Sequence, residues 1–391
     1  MSRKRFVKSL IALPATAFVV VMRLLRPFFL IRIGVVPSNR IGPLSNELDA
    51  YLWEVRKGRA QAVRGDIWFP YGPICNPYLL KLWKQRIRIL SAWFFSTVHR
   101  INRVIPGGSR HEIPRASVLS QVECYLPCGP PELTIPPHDL ERGKRLLALL
   151  GVPADHRFVC ILGRDPAYLI THLGVDYDHH AYRNVDISTY ADTALALAEL
   201  GYFVIRVGSN VQDAFNVNHE RVIDYANSEY QDQFMDIFLS ATCEFFVSVG
   251  SGLDSVARLF RRPVIATNYI PVSPFARHYD FVLPKAMFWK ATGHELTVNE
   301  MVSQSSFYDK DYRERGINIV DNTNEQLREA VLDFEVRLSA SQRSKAEHDE
   351  RSTRFWDVFT DTYSSDWLTD VDTIRPPIAQ SFLDRHPELD G

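Results

Sequence analysis

Cysteine is scarce in this sequence of 391 residues: Cys75, Cys124, Cys128, Cys160 and Cys243 are scattered and odd in number. That excludes a disulfide framework and fits a reducing compartment. A surplus of positive charge is also missing, with 45 Lys and Arg against 46 Asp and Glu. No nucleic-acid reader motif is present either, so nucleic acid is not an expected partner. No apolar run reaches the roughly 18–20 residues that cross a bilayer. Internal repeats and low-complexity segments are absent, and the collagenous and coiled-coil classes fall away. A Walker A loop, the spaced glycine fingerprint of dinucleotide sites and a Gly-X-Ser-X-Gly elbow are all missing, and no nucleophilic triad stands out. What remains is a globular chain, 46% hydrophobic, long enough for two domains.

One further absence is local. No acidic residue precedes Glu47, whereas Arg3, Lys4, Arg5, Lys8, Arg23, Arg26, Arg32 and Arg40 are all basic. Between Lys8 and Arg23 runs an apolar stretch from Leu10 to Met22, interrupted by Pro14 and Thr16. Residues 1–28 therefore read as a membrane-associated segment, most simply a helix lying in the interface. A short anchor, a signal peptide around Ala15-Thr16-Ala17 and a plain core helix are the other readings. The first of these places the protein in the cytoplasm, peripheral on the inner membrane, in contact through residues 1–30.

The rest of the chain alternates strands and helices. Phe29–Val35 reads as a buried strand, the Pro37–Gly42 segment as a turn, Glu47–Trp53 as a helix and Asp66–Phe69 as a second strand. Asn76 to Phe95 reads as one long amphipathic helix. A cluster of Pro127, Gly129, Pro130, Pro131, Pro136 and Pro137 marks a linker. Beyond it, Phe158–Leu162, Tyr202–Val207, Arg221–Asp224, Glu244–Val249 and Pro263–Thr267 read as five strands. Helices over His138–Leu150, Ile187–Leu200, Gln231–Ala241 and Leu253–Phe260 separate or precede them. Continuous apolar strands with helical crossovers predict a doubly wound parallel sheet. The implied domains are residues 29–135, 136–338 and a helical extension, 339–391.

Such sheets bind ligands at the carboxyl ends of their strands. There the sequence offers Arg164, His172, Arg183 and Asn184, then Arg206, Gly208 and Ser209, then Ser248, Gly250, Ser251, Gly252, Asp254 and Ser255. The last group is a Gly/Ser turn opening a helix, where backbone N–H groups and the dipole attract phosphate. Arg164, Arg183 and Arg206 supply cationic forks for a diphosphate. Taken alone, such a turn is ordinary capping and a lone arginine a solvated residue; their convergence is what points to an anion. Asp176-Tyr177-Asp178-His179-His180 and the Cys124/Cys128 pair carry too little ligand spacing for a metal site.

Several blocks resemble a family of bacterial glycosyltransferases: Tyr182-Arg183-Asn184-Val185-Asp186-Ile187, Gly201 to Ser209, Arg40-Ile41-Gly42, Ile223 to Ser228, Phe234 to Leu239, Ser251-Gly252-Leu253 and Val320 to Thr323. The resemblance spans roughly Ile31 to Leu338. It implies the GT-B architecture, an α/β fold of two Rossmann-type doubly wound domains facing a cleft, and surface-polysaccharide or lipopolysaccharide glycosylation. The expected partners are a nucleotide-diphosphate sugar and a lipid-linked saccharide acceptor, without a metal or other cofactor. Arg40 and Gly42 fall on the acceptor side. The family tends to place His after Arg-Ile-Gly, where this chain has Pro43, so another group must serve as base. Asp49 and Glu47, on the following helix, are the catalytic candidates. A non-catalytic nucleotide or saccharide sensor and a sugar-nucleotide epimerase are the alternatives.

Overall fold

The computed structural model describes residues 3–124, 129–164, 178–270, 278–341, 350–362 and 374–390. The chain divides into two compact units, one of Met1–Cys124 with Pro130–Thr134, the other of Tyr125–Gly129 with Ile135–Gly391.

The first unit begins with α1 (Arg3–Leu24), followed by β1 (Ile31–Pro37), α2 (Ile41–Arg56) and β2 (Gly65–Tyr71). β1 and β2 pair in parallel through a right-sized βαβ crossover, with Arg32 opposite Asp66. That register places the Arg32 guanidinium in a two-pronged bond with the Asp66 carboxylate, at 2.8 and 2.7 Å, and Tyr51 donates to the same carboxylate at 2.9 Å. Burial and the Asp66 charge raise the Tyr51 phenol. Then come α3 (Pro77–Arg86), α4 (Ala92–Val104) and α5 (Val118–Glu123).

The single helix expected over Asn76–Phe95 is broken in two. Ile89 bridges Trp68 in parallel, Trp68 N–H donates to Arg88 and Leu90 N–H donates to Trp68, which extends the sheet beside β2. β-Branched Ile87 and Ile89 suit that extended stretch. Asn76 caps α3 through the Leu79 N–H at 2.8 Å, and Ser91 restarts the chain as α4. A two-stranded pair with single bridges at Glu112 and Ile89 is thus the sheet of this unit among the described residues, smaller than the full doubly wound domain expected.

α1 packs one face into this unit's core. Ile11, Ala15, Val19 and Met22 are buried with Ile33, Ile67, Phe69, Phe95 and Val98. Phe18 meets Phe94 and Phe95 edge-on. Arg23 turns inward, its guanidinium donating to the carbonyls of Asn102, Ile105 and Pro106. No described helix is long and apolar enough to cross a membrane.

The second unit holds α6 (Pro137–Leu149), β3 (Phe158–Leu162), α7 (Ala191–Glu199), β4 (Phe203–Arg206), β5 (Val222–Asp224), α8 (Gln233–Thr242), β6 (Phe246–Ser248), α9 (Gly252–Leu259), β7 (Val264–Tyr269) and β8 (Phe281–Pro284). Its six strands run parallel in the order β5-β4-β3-β6-β7-β8. That is the doubly wound order in which strand succession reverses between the first and fourth strands. β3, β4, β6 and β8 are buried along their whole length, as a sheet covered on both faces requires. α6 and α7 both stop at a Leu-Gly pair with the glycine in the left-handed region. There Val152 and Tyr202 N–H groups reach back to Leu147 and Leu197. α6 lies against α8 through Gly143, where a Cβ would stand 2.1 Å from the Phe238 ring.

β9 (Ala286–Trp289), α10 (Val298–Ser303), α11 (Asp309–Glu314), β10 (Ile317–Val320), α12 (Asn324–Ser341), α13 (Glu350–Thr362) and α14 (Gln380–Leu383) complete this unit. Phe355, Trp356, Phe359 and Phe382 form their own cluster. Ile378 bridges β8 in parallel, with Val282 N–H donating to Pro377 and Ala379 N–H to Val282.

A candidate anion-binding site

The reversal of strand order puts the carboxyl ends of β3 and β6 side by side. Loops leaving two such strands diverge to opposite faces and open a crevice between them. Arg164 lies two residues beyond β3, and the Gly250-Ser251 turn lies two residues beyond β6. Arg183, at the end of the 3-10 turn Asp178–Arg183, donates to the Gly250 carbonyl, so the two loops are joined at this point. Gly250 has φ 76°, a conformation that suits glycine.

The electrostatics here favour an anion. Burial, then the neighbouring Arg183 guanidinium, pull Arg164 down to about 10. A desolvated cation held beside a second cation is stabilised by any negative group placed against both. Tyr182, between them in the chain environment, is raised by burial while both arginines pull it the other way.

Lys285 organises the same segment from below. The residue is 1% exposed, and its ammonium donates to Tyr182 O at 2.8 Å, to Asn184 O at 3.3 Å and to Asp321 at 2.6 Å. Burial lowers its pKa, against the pull of Asp321. It follows β8, a strand too short to be read from sequence, so this lysine went unrecognised. Its signal was a charged residue directly after the apolar run Phe281-Val282-Leu283-Pro284.

The floor is a buried polar chain. Thr267 donates to the Ser248 carbonyl, Tyr190 bonds Thr267 at 2.8 Å, and Asn268 donates to Tyr190 at 3.1 Å. Asn268 and Asn322 exchange side-chain and backbone bonds at 2.8 and 2.7 Å, and Asn322 also donates to Pro284 O. Asn268 adopts φ 49° to do so.

Several residues assigned to a diphosphate by sequence are engaged inside the protein instead. Arg206 is 1% exposed, paired with Asp224 at 3.0 Å and bonded to the Asp213 carbonyl. Asp254 is buried and accepts from Ser248 Oγ at 2.7 Å, Ser251 N–H at 2.8 Å, Tyr279 at 3.2 Å and Arg258 at 2.9 Å. Its carboxylate already occupies the start of α9, so Ser248, Asp254 and Ser255 act in shaping the turn. Ser251, Gly252, Asn184 and Ser209 are half-buried, while Gly208 is buried. Among the described residues of the predicted set, Arg164, Arg183 and the Gly250 turn come together at the switch point.

In the first unit, the two candidate acids on α2, Glu47 and Asp49, differ. Asp49 is fully buried. Glu47 is half-buried, and burial raises its pKa while Arg115 and Arg40 pull it down. Arg40 is exposed at the N-cap and Gly42 lies in the first turn, with Pro43 beside it. A half-exposed carboxyl with a raised pKa suits proton transfer better than a sealed one. Among the described residues no cluster of His, Cys, Asp and Glu has the makings of a metal site. His172, Asp176, Tyr177 and Cys128 lie outside the described residues, as do the side chains of Asp178, His179 and His180.

No family model matches the chain, and no curated protein matches it. Two solved structures are similar to it. One is the ADP-heptose LPS heptosyltransferase II of E. coli, at 17% identity and TM-score 0.40, covering 62% of this chain and 86% of that one. The other is a glycosyl transferase of family 9 from Veillonella parvula DSM 2008, at 12% identity and TM-score 0.38, covering 63% and 82%. Likeness of this degree assigns no substrate.

Proposed function

We propose that this chain is a glycosyltransferase that takes its sugar from a nucleotide-diphosphate donor. The observation that carries the reading is the pairing of Arg164 and Arg183 at the switch point of a six-stranded parallel sheet, beside the Gly250 turn. A diphosphate is the leaving group of such a donor, and two fixed guanidiniums neutralise the charge that builds on it as the glycosidic bond breaks. They take the part that a divalent metal plays elsewhere, so transfer is proposed to be metal-independent. Glu47 is proposed as the base that removes the acceptor hydroxyl proton, with Arg40 and Gly42 on the acceptor side. The acceptor is proposed to be a lipid-linked saccharide of bacterial surface polysaccharide or lipopolysaccharide, handled on the cytoplasmic face of the inner membrane. This last step rests on the sequence resemblance.

The test is thermal stabilisation by UDP, GDP, ADP, CMP and their sugar conjugates, with and without EDTA, since a ligand of the folded state raises apparent stability by mass action. A selective rise with one diphosphate nucleotide, indifferent to EDTA and lost in Arg183→Ala, is expected. No rise with any member would remove the donor site. A rise without hydrolysis or transfer in the presence of glycan lipid extracts would leave a nucleotide-binding module.

A further inference from the structure

The outward face of α1 has a composition that its inward face does not explain. Ile11, Ala15, Val19 and Met22 point into the core. At about 100° per residue, Leu13, Ala17, Val20 and Leu24 fall on the opposite side of the helix. Leu13 is 80% exposed and Leu24 71%, Val20 and Val21 are about half exposed, and Phe28, in the following turn, is 90% exposed. A soluble surface helix normally carries charge on that side. Here no charged side chain occurs between Ser9 and Val21, and Arg23 is spent on Asn102, Ile105 and Pro106.

We infer that the outward face of α1, with Phe28, docks on an anionic lipid surface, the helix lying flat in the interface. Three observations select that occupant. From Leu13 to Leu24 the face is a stripe on a helix pinned to its own domain through Ile11, Ala15, Val19 and Met22, so the helix presents itself sideways and keeps its core contacts. Basic residues flank the stripe in the sequence, Arg3, Lys4, Arg5 and Lys8 before it and Arg26 after it, and no acid occurs before Glu47. Lys and Arg flanking an apolar face match acidic headgroups around an apolar interior. A second copy of the chain is a poor fit for the same reason. Two such faces brought together in either direction would set basic clusters against each other with no carboxylate from this segment to pair them. Spanning is a poor fit too, because crossing a bilayer would strip Ile11, Ala15, Val19 and Met22 from the core.

The inference supplies a partner for the proposed transferase, but its test needs no sugar nucleotide, so each can fail without the other. The full chain is sedimented with phosphatidylcholine vesicles made with and without phosphatidylglycerol. Binding to the phosphatidylglycerol vesicles is expected, weakened by salt, and roughly tenfold lower in the double variant L24E/F28E. Val336→Glu, at an exposed position on α12, should bind as the unaltered protein does. Both variants should melt with the parent, since they alter exposed side chains. Equal sedimentation of L24E/F28E and the parent, or none with phosphatidylglycerol vesicles, overturns the inference. So does a dimer in lipid-free solution that L24E/F28E converts to monomer, which would make the face a contact between copies.

Discussion

Lys285 and Asp321 lie 2.6 Å apart, and the same ammonium holds the carbonyls of Tyr182 and Asn184. One buried cation therefore fixes the backbone on both sides of Arg183, the residue that reaches Gly250. Replacing it with Met keeps the volume and removes three charge-assisted bonds. Lys285→Met should cost about 2–3 kcal/mol in urea unfolding. Beyond that loss, nucleotide binding should weaken even where the variant is fully folded, because Arg183 loses its rigid mount.

Arg164→Ala and Arg183→Ala address the anion directly. Each should raise the dissociation constant of the preferred nucleoside diphosphate about tenfold to hundredfold. Calorimetric titration reads this.

Arg206→Ala should behave in the opposite way. Its guanidinium ties Asp224 to the loop carrying Asp213, so unfolding should be easier by about 2–4 kcal/mol. Nucleotide affinity of the folded fraction should stay near that of the parent.

Glu47→Gln should lower transfer by about 10²–10⁴-fold while sparing the nucleotide-induced rise in Tm. In the parent, turnover should increase with pH through a midpoint above the usual glutamate range, as burial holds the carboxyl protonated longer. Asp49→Asn alters a fully buried group and should show chiefly as a stability change in thermal melts. Loss of transfer in Asp49→Asn at unchanged stability would move the base to that residue.

Asp236 sets a pH dependence of stability. Burial raises its pKa to about 7, against hydrogen bonds from Tyr225 and Gln231. The unfolded chain ionises near the ordinary aspartate value of about 4, so the folded state binds the extra proton between those limits. Stability is therefore lost as pH rises from about 4 through about 7, by on the order of 4 kcal/mol at full ionisation. Asp236→Asn should close that gap, melting increasingly above the parent as the buffer moves from about pH 5 to about pH 8.

Much of the second unit was legible because its strands are continuous apolar runs bounded by glycine, as Gly151 and Gly201 show. The sixth strand was not, since Phe281–Pro284 is four residues long and no periodicity survives at that length. The break after Arg86 was hidden because Ile87–Leu90 is extended by pairing with Trp68, a contact remote in sequence. The site was half legible. Arginines after strands can be read, but whether each faces ligand or core depends on partners such as Asp224 for Arg206. The same holds for Asp254, which looks like part of a phosphate turn and is in fact the anion that fills it.

The bridge between Val282 and Ile378 bears on how the protein is made. β8 is an edge strand, and the chain that covers it follows in the sequence only after β9, β10 and four more helices. At synthesis rates of about 5–20 residues per second, roughly a hundred residues separate the two, an interval of several seconds or more on the ribosome. Throughout it, the nascent sheet offers a row of open backbone groups to any neighbouring strand. The dependence of this domain on nascent-chain chaperones should accordingly be greatest while residues 285–377 emerge.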